Sequence, residues 1–172
     1  MKITVVQYQG RVQVALLRLD GKLDGASYLD LITKAKQLYA GGTRHMIIDL
    51  AQISHLSSAG MLAIHQITLL LRGETPPDPE MGWGAFRAMA DDLESGIQPR
   101  IKLLAPPPQA RQVLERAGLT ALIEIVADLD ATIAAFAPAP TSVNRPARPI
   151  RYLRALNLAV RGARATPTPT PC

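Results

Sequence analysis

The sequence predicts a small α/β domain in which a mixed sheet of four to five strands is packed by about four helices. Three observations lead to this prediction: two β-rich runs at the start of the chain, a later alternation of strand-like and helix-like segments, and a composition of 48% hydrophobic and 19% charged residues. A hairpin followed by alternating strands and helices gives a mixed sheet with its helices mainly on one face. The 172 residues suffice for one domain with a substantial core.

The predicted hairpin consists of Ile3–Tyr8 and Val12–Leu19, joined by a short turn through Gly10. A loop from Asp20 to Gly25 follows. From Ser27 onward, apolar residues recur at helical spacing as far as Tyr39, which predicts the first helix. Ser27 and Asp30 have the spacing of a capping box variant, and Gly41 is a suitable end for the helix.

The central strand is predicted at His45–Leu50, an apolar run suited to burial on both faces. After a short crossover, Ser57 and Ser58 precede the apolar segment Met61–Leu71. Serine in this position is an N-cap signal, so one of the two serines is predicted to begin the second helix. Helix N-termini also tolerate phosphate well. The spacing alone leaves open whether these serines only cap the helix or also carry a chemical function.

The apolar segment of the second predicted helix ends before Gly73. Residues 73–99 contain four prolines, four glycines and the only tryptophan, Trp83, and they are predicted to be an insertion loop. One interpretation is a surface loop from which Trp83 and Phe86 fold back onto the domain. The other is a partner-binding segment that uses these aromatic side chains.

The remaining elements are a strand at Arg100–Ala105, a short helix at Ala110–Ala117, a strand at Leu122–Val126 and a closing helix at Asp128–Phe136. The domain is therefore predicted to span residues 1–137. A Pro-rich and Arg-rich tail, residues 138–172, is predicted to be largely disordered.

The net charge of +5 comes from this tail. Residues 1–130 contain 13 basic and 14 acidic residues, whereas the tail adds six arginines and no acid. A near-neutral domain offers no nucleic-acid-binding face, so no direct nucleic-acid partner is predicted. Within the tail, Pro149–Val160 has the pattern of a basic amphipathic helix that contacts an acidic partner or a membrane surface; chance periodicity in a disordered segment is the alternative.

Several classes of chemistry lack their signatures. The sequence has no phosphate-binding Gly-rich loop, and its three histidines, His45, His55 and His65, form no metal-binding pair, so no cofactor or metal is predicted. A serine hydrolase would pair Ser57 or Ser58 with His55 or His65, but the Gly-x-Ser-x-Gly elbow is missing, and no enzymatic activity is expected. No apolar run approaches the roughly 20 residues of a membrane span. With no signal peptide recognised, a cytoplasmic location is expected.

Four short segments stand out: Gly21-Lys22-Leu23-Asp24, Asp49-Leu50, Leu56-Ser57-Ser58-Ala59-Gly60-Met61 and Ala117-Gly118-Leu119. Together they resemble the STAS domain of anti-sigma-factor antagonists. The resemblance covers roughly residues 1 to 135 and implies the same α/β architecture. It places the family's phosphorylated serine on Ser58, its glycine on Gly60 and its leucine on Met61. Ser57 stands where the family has an Asp, and Ala59 where it has a second hydroxyl residue.

The resemblance implies a partner switch: an anti-sigma serine kinase binds the protein while Ser58 is unphosphorylated and releases it once Ser58 is phosphorylated. Asp24, Ser57, Ser58, Gly60 and Met61 are the partner-binding residues that it implies, although Asp24 also suits a turn or a helix cap. Two alternatives remain open. One is a STAS scaffold subunit of a membrane-associated complex of the lipid-transport ABC type, without a phosphoswitch, and the other is a constitutive antagonist that has lost the switch.

Overall fold

The computed structural model describes residues 1–9, 12–78 and 83–136. The predicted tail, 138–172, lies outside these ranges. Five strands lie within them: β1 (Lys2–Gln9), β2 (Gln13–Leu23), β3 (His45–Leu56), β4 (Ile101–Leu104) and β5 (Glu124–Val126). Six α-helices accompany them in the same ranges: α1 (Tyr28–Ala40), α2 (Ser58–Arg72), α3 (Trp83–Asp92), α4 (Pro108–Arg116), α5 (Leu119–Leu122) and α6 (Leu129–Phe136). Among these described helices, none is both long enough and apolar enough to cross a membrane.

The strands form one sheet in the order β1-β2-β3-β4-β5. β1 and β2 are antiparallel, as the predicted hairpin requires, and the three remaining pairs are parallel. Helices make each of the parallel crossovers, because parallel neighbours cannot be joined by a tight turn. The predicted mixed sheet is confirmed.

The two faces of the sheet carry cores of different size. On one face, α1, α2, α4 and α5 bury apolar side chains against Leu17, Ile48 and Leu103 of the sheet, and Met89 of α3 joins this main core. On the other face, α6 places Phe136 against Leu16 and Ile47. The helices therefore lie mainly on one face, as predicted, with α6 alone among the described helices covering the other.

The two central strands are longer than the sequence predicts. β2 continues to Leu23 instead of ending at Leu19, and β3 continues to Leu56 instead of ending at Leu50. The extensions pair with each other, Asp20–Leu23 against Gln52–Leu56, with one register irregularity before them and one between Gly21 and Lys22. Their exposed polar residues resemble a loop in sequence, whereas the buried side chains of Leu23, Ile53 and Leu56 keep both strands on the core.

The segment 73–99 differs from the predicted loop. Its prolines lie at its two ends, so the stretch between them is free to form α3 and a 3-10 turn at Leu93–Ser95. Ala85 and Met89, four residues apart, are buried, and Phe86 packs against the main core. These three residues have helical spacing, a signal that the high proline and glycine content of the segment obscures.

The capping box predicted at Ser27 is wrong. Ser27 does precede α1, but its hydroxyl makes no capping bond to the helix. The hydroxyl instead donates to the carbonyl oxygen of Lys22 at 2.8 Å and accepts from the backbone N–H of Asp24 at 3.1 Å. Ser27 therefore closes the turn between β2 and α1 rather than the first turn of the helix.

Candidate functional site

The junction between β3 and α2 holds the two candidate serines in different roles. Ser57 is the N-cap of α2, and its hydroxyl oxygen accepts a hydrogen bond from the backbone N–H of Gly60 at 3.3 Å. Ser58 is the first helical residue and is exposed. Its side chain makes no hydrogen bond to the described part of the chain. Of the two hydroxyl groups, that of Ser58 is therefore the one available to an outside reactant.

Ser57 occupies the position at which the STAS family has an Asp, and its capping role shows what that difference changes. Asp and Ser are both good N-cap residues, because either side chain supplies an oxygen that accepts from a free N–H of the first turn. The structure shows Ser57 in that role, so α2 begins in the same way without the carboxylate. What the substitution removes is one negative charge beside Ser58, since the first turn of α2 contains no acidic residue.

Gly60 is the point at which α2 contacts the end of β2. A Cβ atom on Gly60 would lie 2.7 Å from the carbonyl oxygen of Leu23, 2.7 Å from its Cγ atom and 2.9 Å from Cδ1 of Leu56. The same carbonyl oxygen accepts from the backbone N–H of Ser57 at 3.0 Å. Only glycine allows this close approach, which holds the serine turn against the β2–α1 connection.

Asp24 follows Leu23 directly and is half-buried. Its Oδ1 atom accepts from the backbone N–H of Ala26 at 3.0 Å, and its carbonyl oxygen accepts from the backbone N–H groups of Ser27 and Tyr28. Asp24 is therefore a turn residue at the start of α1, with part of its side chain in solvent. Met61, the fifth candidate residue, is half-buried and packs against the main core.

A small cavity of about 100 Å³ lies beside the serine turn, between the end of β3 and the start of α4. Its polar lining comes from Ser54, His55 and Gln109, and Pro107 and Val113 supply part of its apolar lining. His55 is exposed and lies opposite Lys22 in the β2–β3 pairing. The cavity is too small for a drug-sized ligand but large enough for a side chain or a few water molecules.

A buried polar cluster ties the second half of α2 to α3. The His65 side chain is fully buried, and its Nε2 atom lies 3.0 Å from Oδ2 of Asp92. Arg72 donates to Oδ1 of Asp92 and to Oε2 of Glu74, both at 2.8 Å. Gln66, also buried, donates to the carbonyl oxygen of Pro77 at 3.0 Å. These contacts hold the segment 73–99 over one side of α2.

Burial lowers the pKa of His65, and the nearby Arg72 guanidinium acts in the same direction, while Asp92 opposes the shift. The ring is therefore neutral near pH 7, with its proton on Nε2, because the Asp92 carboxylate can only accept. Burial would raise the pKa of Asp92, but the hydrogen bonds from Arg72, His65 and Ser95 outweigh it and lower that pKa. Since His65 is buried and roughly 10 Å along α2 from Ser58, it is not placed to act as a base for either serine.

Sequence reasoning missed the Leu23 carbonyl, because a backbone atom leaves no sequence signal. It also missed the His65–Asp92–Arg72 cluster. The sequence did contain a signal for the cluster: His65 and Arg72, seven residues apart, lie on the same side of a mostly apolar helix. Polar residues on one side of a helix that precedes a long insertion indicate that this side contacts either solvent or polar groups of the insertion.

Part of the chain, including the junction between β3 and α2, is similar to a known family. Residues 5–73 match the family model described as the STAS domain, and the match ends where the segment 73–99 begins. Among curated proteins, none matches the chain.

One solved structure extends the likeness beyond residue 73. An anti-sigma factor antagonist from Mycobacterium paratuberculosis superimposes with a TM-score of 0.54 at 15% identity, over 80% of this chain and 96% of that one. The unphosphorylated form of the anti-sigma factor antagonist SpoIIAA gives 0.45 at 17% identity, over 77% of this chain and 94% of that one. SpoIIAA in its phosphorylated form, described as a Bacillus cell fate determinant, gives 0.45 at 19% identity, over 77% and 98%.

The family model covers β2, β3 and α2, the elements that build the serine turn. The first of the solved structures shares the fold of the described domain. Residues 5–73 thus match the STAS domain, and the described domain has the fold that the first of these solved structures shows.

Proposed function

We propose that this protein is an anti-sigma-factor antagonist that binds an anti-sigma serine kinase while Ser58 is unphosphorylated and is released when that kinase phosphorylates Ser58. The observation that carries the proposal is the position of the Ser58 hydroxyl: exposed, free of hydrogen bonds to the described residues, and at the first position of α2. It supports a switch because the modified atom would lie on the docking surface itself.

Phosphorylation would act here through charge rather than through refolding. A phosphate adds about −1.5 to −2 charges at pH 7. At the N-terminus of α2 this charge faces free backbone N–H groups and no acidic side chain in the first turn, so the helix tolerates it. A partner that covers Ser58 has to desolvate the same charge. Docking is therefore the equilibrium that phosphorylation shifts.

The proposed docking surface consists of Ser58, the exposed part of Asp24 and the half-buried Met61, and we call it the serine surface. Gly60 and Ser57 support it from below, Gly60 through its approach to Leu23 and Ser57 through the cap. An apolar contact beside hydroxyl and carboxylate groups is typical of regulatory protein interfaces, which are mixed in polarity.

The first test is phosphopeptide mass spectrometry on the protein isolated from its own cells, with Ser58→Ala as the comparison. We expect phosphate on Ser58 in the wild type and none on the peptide from the variant. Unmodified Ser58 across growth conditions would contradict the switch.

The second test measures binding to each anti-sigma serine kinase encoded in the same genome. Wild type and Ser58→Ala should bind one of them, and Ser58→Glu should bind that kinase at least about tenfold more weakly, which is 1.4 kcal/mol. Thr33→Glu adds the same charge at an exposed site on α1 and should bind like the wild type. Equal binding by Ser58→Glu and Thr33→Glu would refute the proposal and favour an unswitched scaffold module.

A further inference from the structure

The sheet has one long edge strand. β1 runs for eight residues, Lys2–Gln9, and pairs with β2 along its entire length. No described strand pairs with its other edge. The opposite edge strand, β5, has only three residues, and Glu124 within it forms an ion pair with Lys102. A long unpaired edge presents backbone N–H and C=O groups that are ready to bind another strand.

β1 lacks the devices by which proteins usually block such an edge. It contains no proline, its pairing with β2 has no irregularity, and its only charged residue is Lys2 at one end. Apolar side chains lie on both of its faces: Ile3 and Val5 pack against the main core, whereas Val6 and Tyr8 pack against the core beneath α6. All four remain half-exposed, so a further strand at this edge would remove apolar surface from water on both faces.

We infer that β1 is a self-association surface on which the β1 strand of a second copy pairs antiparallel, joining the two sheets into one of ten strands. The pattern of charges favours a second copy as the occupant. The antiparallel register centred on Val5 places Lys2 opposite the uncharged Tyr8 of the partner, and the register centred on Val6 places Lys2 beyond the end of the partner's β1, so Lys2 never lies opposite its own equivalent. No acidic residue lies in β1 that would require a basic partner strand.

Two exposed residues allow a direct test. Thr4 and Gln7 project from opposite faces of β1, are exposed and belong to neither apolar core. Residues opposite each other in an antiparallel pair share a face, so two copies of β1 pair in registers centred on a residue, such as Val5 or Val6. In the register centred on Val5, Thr4 lies diagonal to its own equivalent, and in the register centred on Val6, Gln7 does. Like charges at both positions therefore oppose pairing in both registers.

The experiment measures self-association of the full chain by sedimentation equilibrium over a concentration series. The wild type should form a dimer, and Thr4→Lys/Gln7→Lys should raise its dissociation constant on the order of tenfold or more. Thr4→Glu/Gln7→Glu should have the same effect by itself. An equimolar mixture of the two double variants should restore a dimer, since opposite charges then face each other. Thr33→Lys/Gln112→Lys makes the same residue changes at exposed sites on α1 and α4 and should dimerise like the wild type.

Rescue by mixing is the decisive result, because it cannot arise from two misfolded variants. A monomeric wild type at every concentration would overturn the inference. So would a lysine variant that dimerises as tightly as the wild type, or a mixture that stays monomeric.

Discussion

Replacing Gly60 by alanine tests the contact on which the serine surface rests. The added Cβ would lie 2.7 Å from the Leu23 carbonyl oxygen and 2.7 Å from its Cγ atom. Carbon atoms in normal contact are about 3.5–4.0 Å apart, so relief requires a shift of roughly 1 Å. The Leu23 oxygen is a backbone atom bonded to the N–H of Ser57 and cannot rotate away as a side chain does.

The magnitude follows from two opposing effects. Overpacking costs about 1–3 kcal/mol, and weakening of the Ser57–Leu23 hydrogen bond adds about 0.5–1.5 kcal/mol. Alanine is the better helix former by about 0.5–1 kcal/mol. The clash is larger, and the net loss lies between about 0.5 and 4 kcal/mol. We expect Gly60→Ala to lower the free energy of unfolding by about 2 kcal/mol, near the middle of that range, with a Tm lower by roughly 4–8 °C.

The assay is urea unfolding followed by far-UV circular dichroism, with Gly25→Ala as the matched control. No atom lies within 4 Å of a Cβ built on Gly25, so that variant should stay within about 0.5 kcal/mol of the wild type. A Gly60→Ala protein as stable as Gly25→Ala would refute the close approach of α2 to β2.

The buried cluster gives two further predictions. Asp92→Ala should lower the free energy of unfolding by about 2–4 kcal/mol in the same assay, because it leaves the buried His65 N–H without an acceptor. Asp91→Ala, at the exposed neighbouring residue, should stay within about 0.5 kcal/mol of the wild type. Equal losses in the two variants would contradict the cluster. The pKa values of His65 and His45 are lower in the folded protein than the usual 6.5, mainly through burial. The neutral rings therefore contribute their full stability above about pH 6.5, and this contribution is lost as the pH falls below that value. Unfolding free energies measured between pH 7 and pH 5 should fall with pH, at up to about 1.4 kcal/mol per pH unit for the buried His65 ring and by less for the partly exposed His45 ring. The fall should be gentler in His65→Gln, and an unchanged slope in that variant would show that His65 takes up no extra proton on unfolding.

The sequence predicted the parts of this fold that depend on periodicity. The core strand at His45–Leu50 and the start of α2 at the serine pair Ser57 and Ser58 both follow from patterns that burial imposes on neighbouring residues. The extension of β3 to Leu56 could not be predicted in the same way. Its residues alternate irregularly, and they are held as a strand by pairing with β2, which a local pattern does not contain.

In the candidate site, too, some features follow from local sequence patterns and others depend on contacts between distant residues. Ser58 could be located from its position before an apolar segment and from the STAS resemblance. The sequence could not show which serine caps the helix; in the structure the Ser57 hydroxyl accepts from the Gly60 N–H. Composition misled at α3, where prolines and glycines at the ends of a segment concealed a helix between them.

The segment 73–99 is attached to α2 by two kinds of contact. Asp92 and the Pro77 carbonyl bond to His65, Arg72 and Gln66 of α2, whereas Met89 and Phe86 pack against the main core. Water can replace the polar contacts one hydrogen bond at a time, but it cannot replace the apolar ones. Local detachment of the segment from α2 therefore has a free-energy cost set mainly by its apolar side chains.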